Sequence, residues 1–261
     1  MKHIKKLFLA IVLASLPMCQ ILGWGQKGHR IVAQVAYDNL TPTAKEKIDK
    51  TLGIRGLVYW ANWADEIRSD PAFKHCYTWH YQNLDPGLTD EEVAKCLTKH
   101  PNRSGNLFNA LDSLENVLRS DPYNTDALRF VIHFIGDFYC PMHLARQDDM
   151  GGNKVQVKWF KQNSSLHSIW DGTLINNMGY SYTEYAQFLE DTFSGKKNEI
   201  EKASNEEMLI KNYRFTQEIY EYLDTWQGNT YEYIYHFTPK LNWQLYTCGI
   251  RMALLLNEIY K

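Results

Sequence analysis

The chain has 261 residues, 44% of them hydrophobic and 22% charged, with 28 basic against 30 acidic side chains and a formal net charge of −2. That is enough apolar material for a buried core, and the charge balance argues against a protein that grips a polyanion through net charge. No stretch beyond the N-terminal apolar run approaches the ~18 apolar residues of a membrane span, which argues against a transmembrane protein or a membrane anchor.

The order Met1-Lys2-His3-Ile4-Lys5-Lys6, apolar Leu7 to Leu16, then Gly23-Trp24 reads as the charged, apolar and cleavage regions of a signal peptide over residues 1–23. Its removal leaves 261 − 23 = 238 residues, with 28 − 3 = 25 basic and 30 acidic side chains and a net charge of −5. No linker or internal repeat divides residues 24–261, so a single domain is expected, in a secreted or periplasmic protein. The four cysteines of that part, Cys76, Cys96, Cys140 and Cys248, suggest two disulfides in an exported chain. Sequence leaves their pairing open among three arrangements, with a local Cys76–Cys96 loop preferred. No CxxC or Cys/His cluster points to sulfur as a metal donor.

Taken in order, Gly28 to Asn39 carries Ile31, Val32, Val35 and Ala36 at helical spacing, and Thr41-Pro42 offers a cap and first-turn proline for a second helix. Trp60 to Arg68 predicts a short aromatic helix, Ser69-Asp70-Pro71 a break, and residues 82–105 an irregular polar excursion. Asn106 can cap a helix with the stripe Leu107, Ala110, Leu111, Leu114 and Leu118, and Asn124 or Thr125 the next, Asp126 to Tyr139. Pro141 ends it. Gly151 to Phe160, with Val155, Val157 and Trp159 alternating, predicts a small hairpin. Helices follow over Ser165 to Met178, 182–194, 204–225 and 238–260, the last with Thr238 as cap and Pro239 in its first turn. The expectation is an all-α single domain of roughly eight helices with one β-hairpin.

Within it, His133 and Asp137 form one pair four residues apart and His167 and Asp171 another, with His143 between them. Residues four apart share a helix face, so each pair can aim an imidazole and a carboxylate at one point, which suits a metal taking nitrogen and oxygen donors. His133 and Asp137 stand in a helix apolar nearly all round, where polar side chains need partners. A metal would satisfy both. His29, His80 and Asp65, the last among Trp63, Ala64 and Ile67, extend the set; His75, His100 and His236 read as surface histidines.

The segments Trp24-Gly25-Gln26-Lys27-Gly28-His29, Trp63-Ala64-Asp65, Trp79-His80-Tyr81, His133 to His143, Gly151-Gly152-Asn153 and His167-Ser168-Ile169-Trp170-Asp171 together resemble the secreted three-zinc, single-strand-specific nucleases of the mung bean nuclease type. The match is dense from Trp24 to Asp171 and thin afterwards. The resemblance implies a mostly helical fold shared with zinc-dependent bacterial phospholipases C. It implies three zinc ions, one held by Asp65, His80, His133 and Asp137, a second by His143, His167 and Asp171, and a third by His29, Asp137 and the α-amine and carbonyl of Trp24. That amine is free only once the Gly23–Trp24 bond is cut.

The activity so implied is endonucleolytic hydrolysis of single-stranded DNA and RNA to 5′-phosphate products, and hydrolysis of nucleoside 3′-phosphates, with Asp65 and Arg68 in catalytic positions. Arg68 stands where the family commonly has a lysine. Tyr81 falls at the place of a base-stacking aromatic, Asn83 where fungal members have a base-edge aspartate, and Asn153 near the phosphate. Three Zn²⁺ would bring the net charge to −5 + 6 = +1, so phosphate attraction is focused at the ions. No obligate protein partner is implied. Competing readings are a zinc-dependent phospholipase C, whose substrate is also a phosphodiester, and a non-enzymatic zinc-binding protein.

Overall fold

Helix α1, Gln26–Asp38, buries seven of its thirteen residues, from Gly28 to Ala36. It lies against the two helices it touches most, α10 (Tyr182–Phe193) and α13 (Thr230–Ile259). The approach to α13 is close because of a glycine: a Cβ on Gly249 would sit 2.5 Å from Val35 Cγ1. The computed structural model describes residues 24–53, 56–99 and 105–261. The expected signal peptide over residues 1–23 and the surface reading of His100 lie outside the described residues.

The order continues with α2 (Pro42–Leu52), α3 (Gly56–Trp60) and α4 (Trp63–Glu66). A 3₁₀ turn over Ile67–Ser69 leads into a longer 3₁₀ segment, Pro71–His80. Then come α5 (Asp90–Lys99), α6 (Leu107–Ser120) and α7 (Thr125–Tyr139). After a 3₁₀ turn at Pro141–Leu144, strands β1 (Gln156–Trp159) and β2 (Gln162–Ser165) pair antiparallel, Gln156 opposite Ser165 and Trp159 opposite Gln162. The chain then passes through α8 (Leu166–Ser168), a π-helical turn (Ile169–Thr173) and α9 (Leu174–Asn177). Beyond α10, α11 (Lys197–Lys202), α12 (Asn205–Thr225) and α13 complete it. The protein is thus all-α with one hairpin, and among the described residues no helix is long and apolar enough to cross a membrane.

Local chemistry explains most boundaries. Thr41 Oγ1 accepts from Ala44 N at 3.2 Å with Pro42 at the first position of α2, and Asn124 Oδ1 accepts from Ala127 N at 3.0 Å. Four expectations about secondary structure need correction. The break at Ser69-Asp70-Pro71 is a start: Asp70 Oδ1 accepts from Ala72 N at 2.9 Å, which caps the 3₁₀ segment carrying His80. The excursion over 82–105 contains α5, begun by Thr89 and Glu92, each side chain bonding the other's backbone N–H. The hairpin is displaced toward the C-terminus, because the chain turns repeatedly at Met150 to Lys154 before pairing starts.

Finally, α13 begins at Thr230, where Asn229 Oδ1 accepts from Tyr231 N, so Pro239 lies inside the helix. Proline has no N–H to offer the carbonyl four residues earlier, that of Tyr235, and this residue is 86% exposed. The expected disulfides are also absent: Cys76, Cys96, Cys140 and Cys248 are buried free thiols. Their sulfurs serve separate places, Cys96 Sγ donating to Glu92 O, Cys248 Sγ to Ile135 O and Cys140 Sγ to Asp171 Oδ1.

Candidate metal centre

Helix α7 places His133 and Asp137 one turn apart, both fully buried. Every residue of that helix from Phe130 to Tyr139 is buried, so these two polar groups have only other polar side chains brought to them by the fold. His80 arrives from the end of its 3₁₀ segment, with Nδ1 3.0 Å from Asp137 Oδ2 and 3.7 Å from Asp65 Oδ1. His133 Nε2 lies 3.3 Å from the same Asp137 oxygen, 3.8 Å from Asp65 Oδ1 and 3.2 Å from His80 Nδ1.

The second oxygen of Asp137 faces elsewhere. Oδ1 is 3.4 Å from His29 Nε2 and 3.5 Å from His143 Nδ1. His29 enters from α1 and stacks on His133 with ring centroids 3.9 Å apart. Gly136 makes this possible, since a Cβ there would lie 2.6 Å from His29 Nδ1. The third group is built by the corner after α7 and by the π turn: His167 Nε2 is 3.1 Å from Asp171 Oδ2, and His143 stacks with His167 at 5.5 Å. A π turn widens the backbone and recurs at functional sites. Here it carries Asp171.

Backbone carbonyls orient the rings. His133 Nδ1 bonds Ala61 O at 2.7 Å, His167 Nδ1 bonds Gly151 O at 2.6 Å, and His143 Nδ1 bonds His80 O. A histidine so held has Nε2 left for a metal, and the bond fixes the ring's direction. Gly151 and Gly152 adopt φ of +65° and +79° in the turn that presents this carbonyl, a conformation glycine takes without strain. The other end of the site is held by Gly25, whose N–H donates to Asp171 O and so ties the start of α1, next to the buried Trp24, to the π turn.

The electrostatics of the cluster point the same way. Burial, then the neighbouring His133, lowers His29 to about 4, and burial lowers His80 to about 4. Burial would lower His133 as well, but Asp137 and Asp65 outweigh it and raise it to about 9. Asp137 stays well below the usual carboxylate range despite burial, because His133 and His143 face it. Asp171 is pushed by burial up to about 7, and burial with the Asp171 and Asp137 carboxylates raises the Cys140 thiol. One protonated imidazole among so many buried donors leaves the cluster short of positive charge. His29 Nδ1 and Nε2, Asp65 Oδ1 and Asp137 Oδ1 are buried with no hydrogen-bond partner.

Orphaned polar atoms of this kind, in this number, fit metal ions. Two donors each about 2.0–2.1 Å from a tetrahedral ion stand about 3.3–3.4 Å apart, and the spacings between Asp65, His80, His133 and Asp137 run from 3.0 to 3.8 Å. Three groups whose ligand atoms lie mutually within 4.8 Å recur here: His29, Asp65 and His133; His80, His133 and Asp137; and Cys140, His143 and Asp171. The third contains a residue that the sequence reading set aside. The signal was present as Cys140-Pro141-Met142-His143, a thiol three residues before a ligand-type histidine.

Beside His167 opens a cavity of about 90 Å³ lined by Tyr81, Asn83, Met142, Gln147, Met150 and Gly151. Asn83 is fixed in it by donating from Nδ2 to Ala145 O at 2.8 Å. Arg68 lies 3.6 Å from Asp65 Oδ1 and spreads over the Tyr77 ring at 4.8 Å. Asn153 is not among the cavity's lining residues; its Nδ2 donates to Met150 O at 2.9 Å, which is turn chemistry. Met142, Gln147 and Met150 were not singled out from sequence, since nothing in their local pattern marks them.

The geometry defines a buried cluster of His, Asp and Cys side chains able to hold metal ions, beside a cavity with an aromatic side, and comparison with known proteins gives the family. The S1/P1 nuclease family model matches residues 24–261. Endonuclease 5 of Arabidopsis thaliana is 27% identical over 272 residues, covering 92% of this chain and 91% of that one. Nuclease S1 of Aspergillus oryzae is 28% identical over 210 residues, 73% and 71% of the two chains, and nuclease P1 of Penicillium citrinum 30% over 158 residues, 57% of each. The chain belongs to the S1/P1 nuclease family. It is a nuclease, a hydrolase of phosphodiester bonds in nucleic acid.

Proposed function

We propose that this nuclease works with three zinc ions on single-stranded DNA and RNA, giving 5′-phosphate products, and also removes phosphate from nucleoside 3′-phosphates. The observation that carries the proposal is the two-sided Asp137, whose Oδ2 meets His80 and His133 while Oδ1 meets His29 and His143. A carboxylate so divided suits a bridge between two ions. Asp65, His80, His133 and Asp137 would hold one zinc, His143, His167 and Asp171 a second, and His29, Asp137 and the Trp24 amine and carbonyl a third. Bound there, zinc would supply a Lewis acid that activates water near neutral pH and offsets charge on the phosphoryl oxygens.

The protein's own residues do the rest. Ala61, His80 and Gly151 carbonyls orient three imidazoles. Arg68, close to Asp65, is in place to meet a phosphate oxygen with its guanidinium fork. Tyr81 offers a face on which a base can stack, and stacking requires that base to be unpaired. The Asn83 amide nitrogen is engaged by Ala145 O, so its Oδ1 is the atom left for a base edge. A single strand is therefore the substrate this cavity accepts.

The Trp24 amine would become a ligand only on removal of residues 1–23, which supports the reading of an exported protein. The test is hydrolysis of single-stranded DNA, RNA, their duplexes, a 3′-nucleotide and phosphatidylcholine by protein beginning at Trp24, before and after chelation and zinc return. Single-strand and 3′-nucleotide turnover abolished by chelator and restored by zinc is expected; lipid turnover without nucleic-acid turnover, or chelator-resistant cleavage, would refute it.

A further inference from the structure

Cys140 enters the metal centre from the end of α7. It is completely buried, with Sγ 3.7 Å from Asp171 Oδ1. The sulfur, a His143 nitrogen and an Asp171 oxygen all lie within 4.8 Å of one another. As a hydrogen bond, a thiol at this distance is weak compensation for a carboxylate taken out of water. As two donors on one ion the pair fits better: a zinc–sulfur bond of about 2.3 Å and a zinc–oxygen bond of about 2.0 Å at the tetrahedral angle set S and O about 3.5 Å apart.

The backbone fixes this arrangement. Cys140 N–H donates to Asp137 O at 3.0 Å and ends α7, and Cys140 O accepts from His143 N at 3.0 Å across the 3₁₀ turn begun by Pro141. Cys140 and His143 thus stand on one rigid corner. Asp171 faces them from the π turn, its other oxygen turned to His167.

We propose that Cys140 is a fourth protein donor, as thiolate, to the ion held by His143, His167 and Asp171; this rests on the metal reading above. Its proton passes to solvent when the bond forms. A sulfur donor would bias this ion toward zinc, cadmium or cobalt(II) and against magnesium or manganese.

The experiment is replacement of the bound metal by cobalt(II) in the purified protein. Visible ligand-field bands report cobalt held by the site, and a near-ultraviolet sulfur-to-cobalt charge-transfer band reports the thiolate. The band is expected in the native sequence and in Cys248→Ala, and is expected to vanish in Cys140→Ser and Cys140→Ala while visible bands remain. Bound cobalt with no charge-transfer band, or a band that survives Cys140→Ala, overturns the proposal and leaves the metal reading intact. No cobalt uptake would sink both. Should the Cys140 variants fail to fold, X-ray absorption at the zinc edge of the unmutated protein decides, since a sulfur shell at about 2.3 Å is required and a pure nitrogen and oxygen shell refutes it.

Discussion

Gly136→Ala isolates the geometry of the metal centre from its chemistry, because it changes no ligand. In an ordinary helix interior this substitution is favourable by about 1 kcal/mol. At this position the new Cβ would lie 2.6 Å from His29 Nδ1 and 2.8 Å from Cε1. Normal van der Waals contact is about 3.5–4.0 Å, so the ring must retreat by about 1 Å. It cannot do so freely, being stacked on His133 at 3.9 Å in a fully buried setting. Overpacking of a core costs about 1–3 kcal/mol, which leaves a net destabilisation of about 0–2 kcal/mol after the helix gain.

Function should suffer far more, since a misplacement of about 1 Å can cost roughly 100-fold in rate, equivalent to about 2.7 kcal/mol of transition-state stabilisation. The assay pairs steady-state hydrolysis of a single-stranded oligonucleotide with metal analysis and thermal unfolding. Expected are a folded protein, a loss of about 100-fold in kcat/KM and depletion of the metal that His29 would hold. Full metal content with activity within about threefold of the parent would refute the reasoning, because His29 would then tolerate displacement.

Tyr81→Ala should raise KM for oligonucleotides by about 5- to 150-fold, from a stacking contribution of about 1–3 kcal/mol per base, with kcat little changed; a pure kcat effect would place Tyr81 outside base binding. In chelator-treated protein, His133 with its pKa raised to about 9 from 6.5 contributes stability below pH 6.5 that is lost as pH rises through 9. His29 and His80 sit at about 4 and Asp171, at about 7, is largely ionised by pH 8, so unfolding followed from pH 8 to 9 should show the His133 loss, and a flat profile would contradict the charge state. The same proton must leave when metal binds at pH 7, which calorimetry in buffers of differing ionisation enthalpy reads as proton release. Protein carrying an extra methionine before Trp24 should bind one ion weakly and lose most activity; full activity would show that the Trp24 amine is not a ligand.

The sequence alone determined the residue kinds and their local order. The 3.6-residue periodicity of α7 with two polar positions on an otherwise apolar helix, the caps at Thr41 and Asn124, and the His/Asp pairs at spacing four are local facts, set by backbone geometry within a turn or two. The start of α13 was not legible, because Thr238-Pro239 satisfies a helix-start rule that long-range packing of the preceding turns overrides. Nor could one-dimensional spacing say that the two oxygens of Asp137 face different histidines, that Gly136 admits His29 from α1, or that Asn153 belongs to a turn. Cys140 is the clearest case. Read along the chain it is a thiol at a helix end; only the folding of the π turn back onto α7 brings Asp171 to its sulfur, because separation along 31 residues carries no information about distance in space.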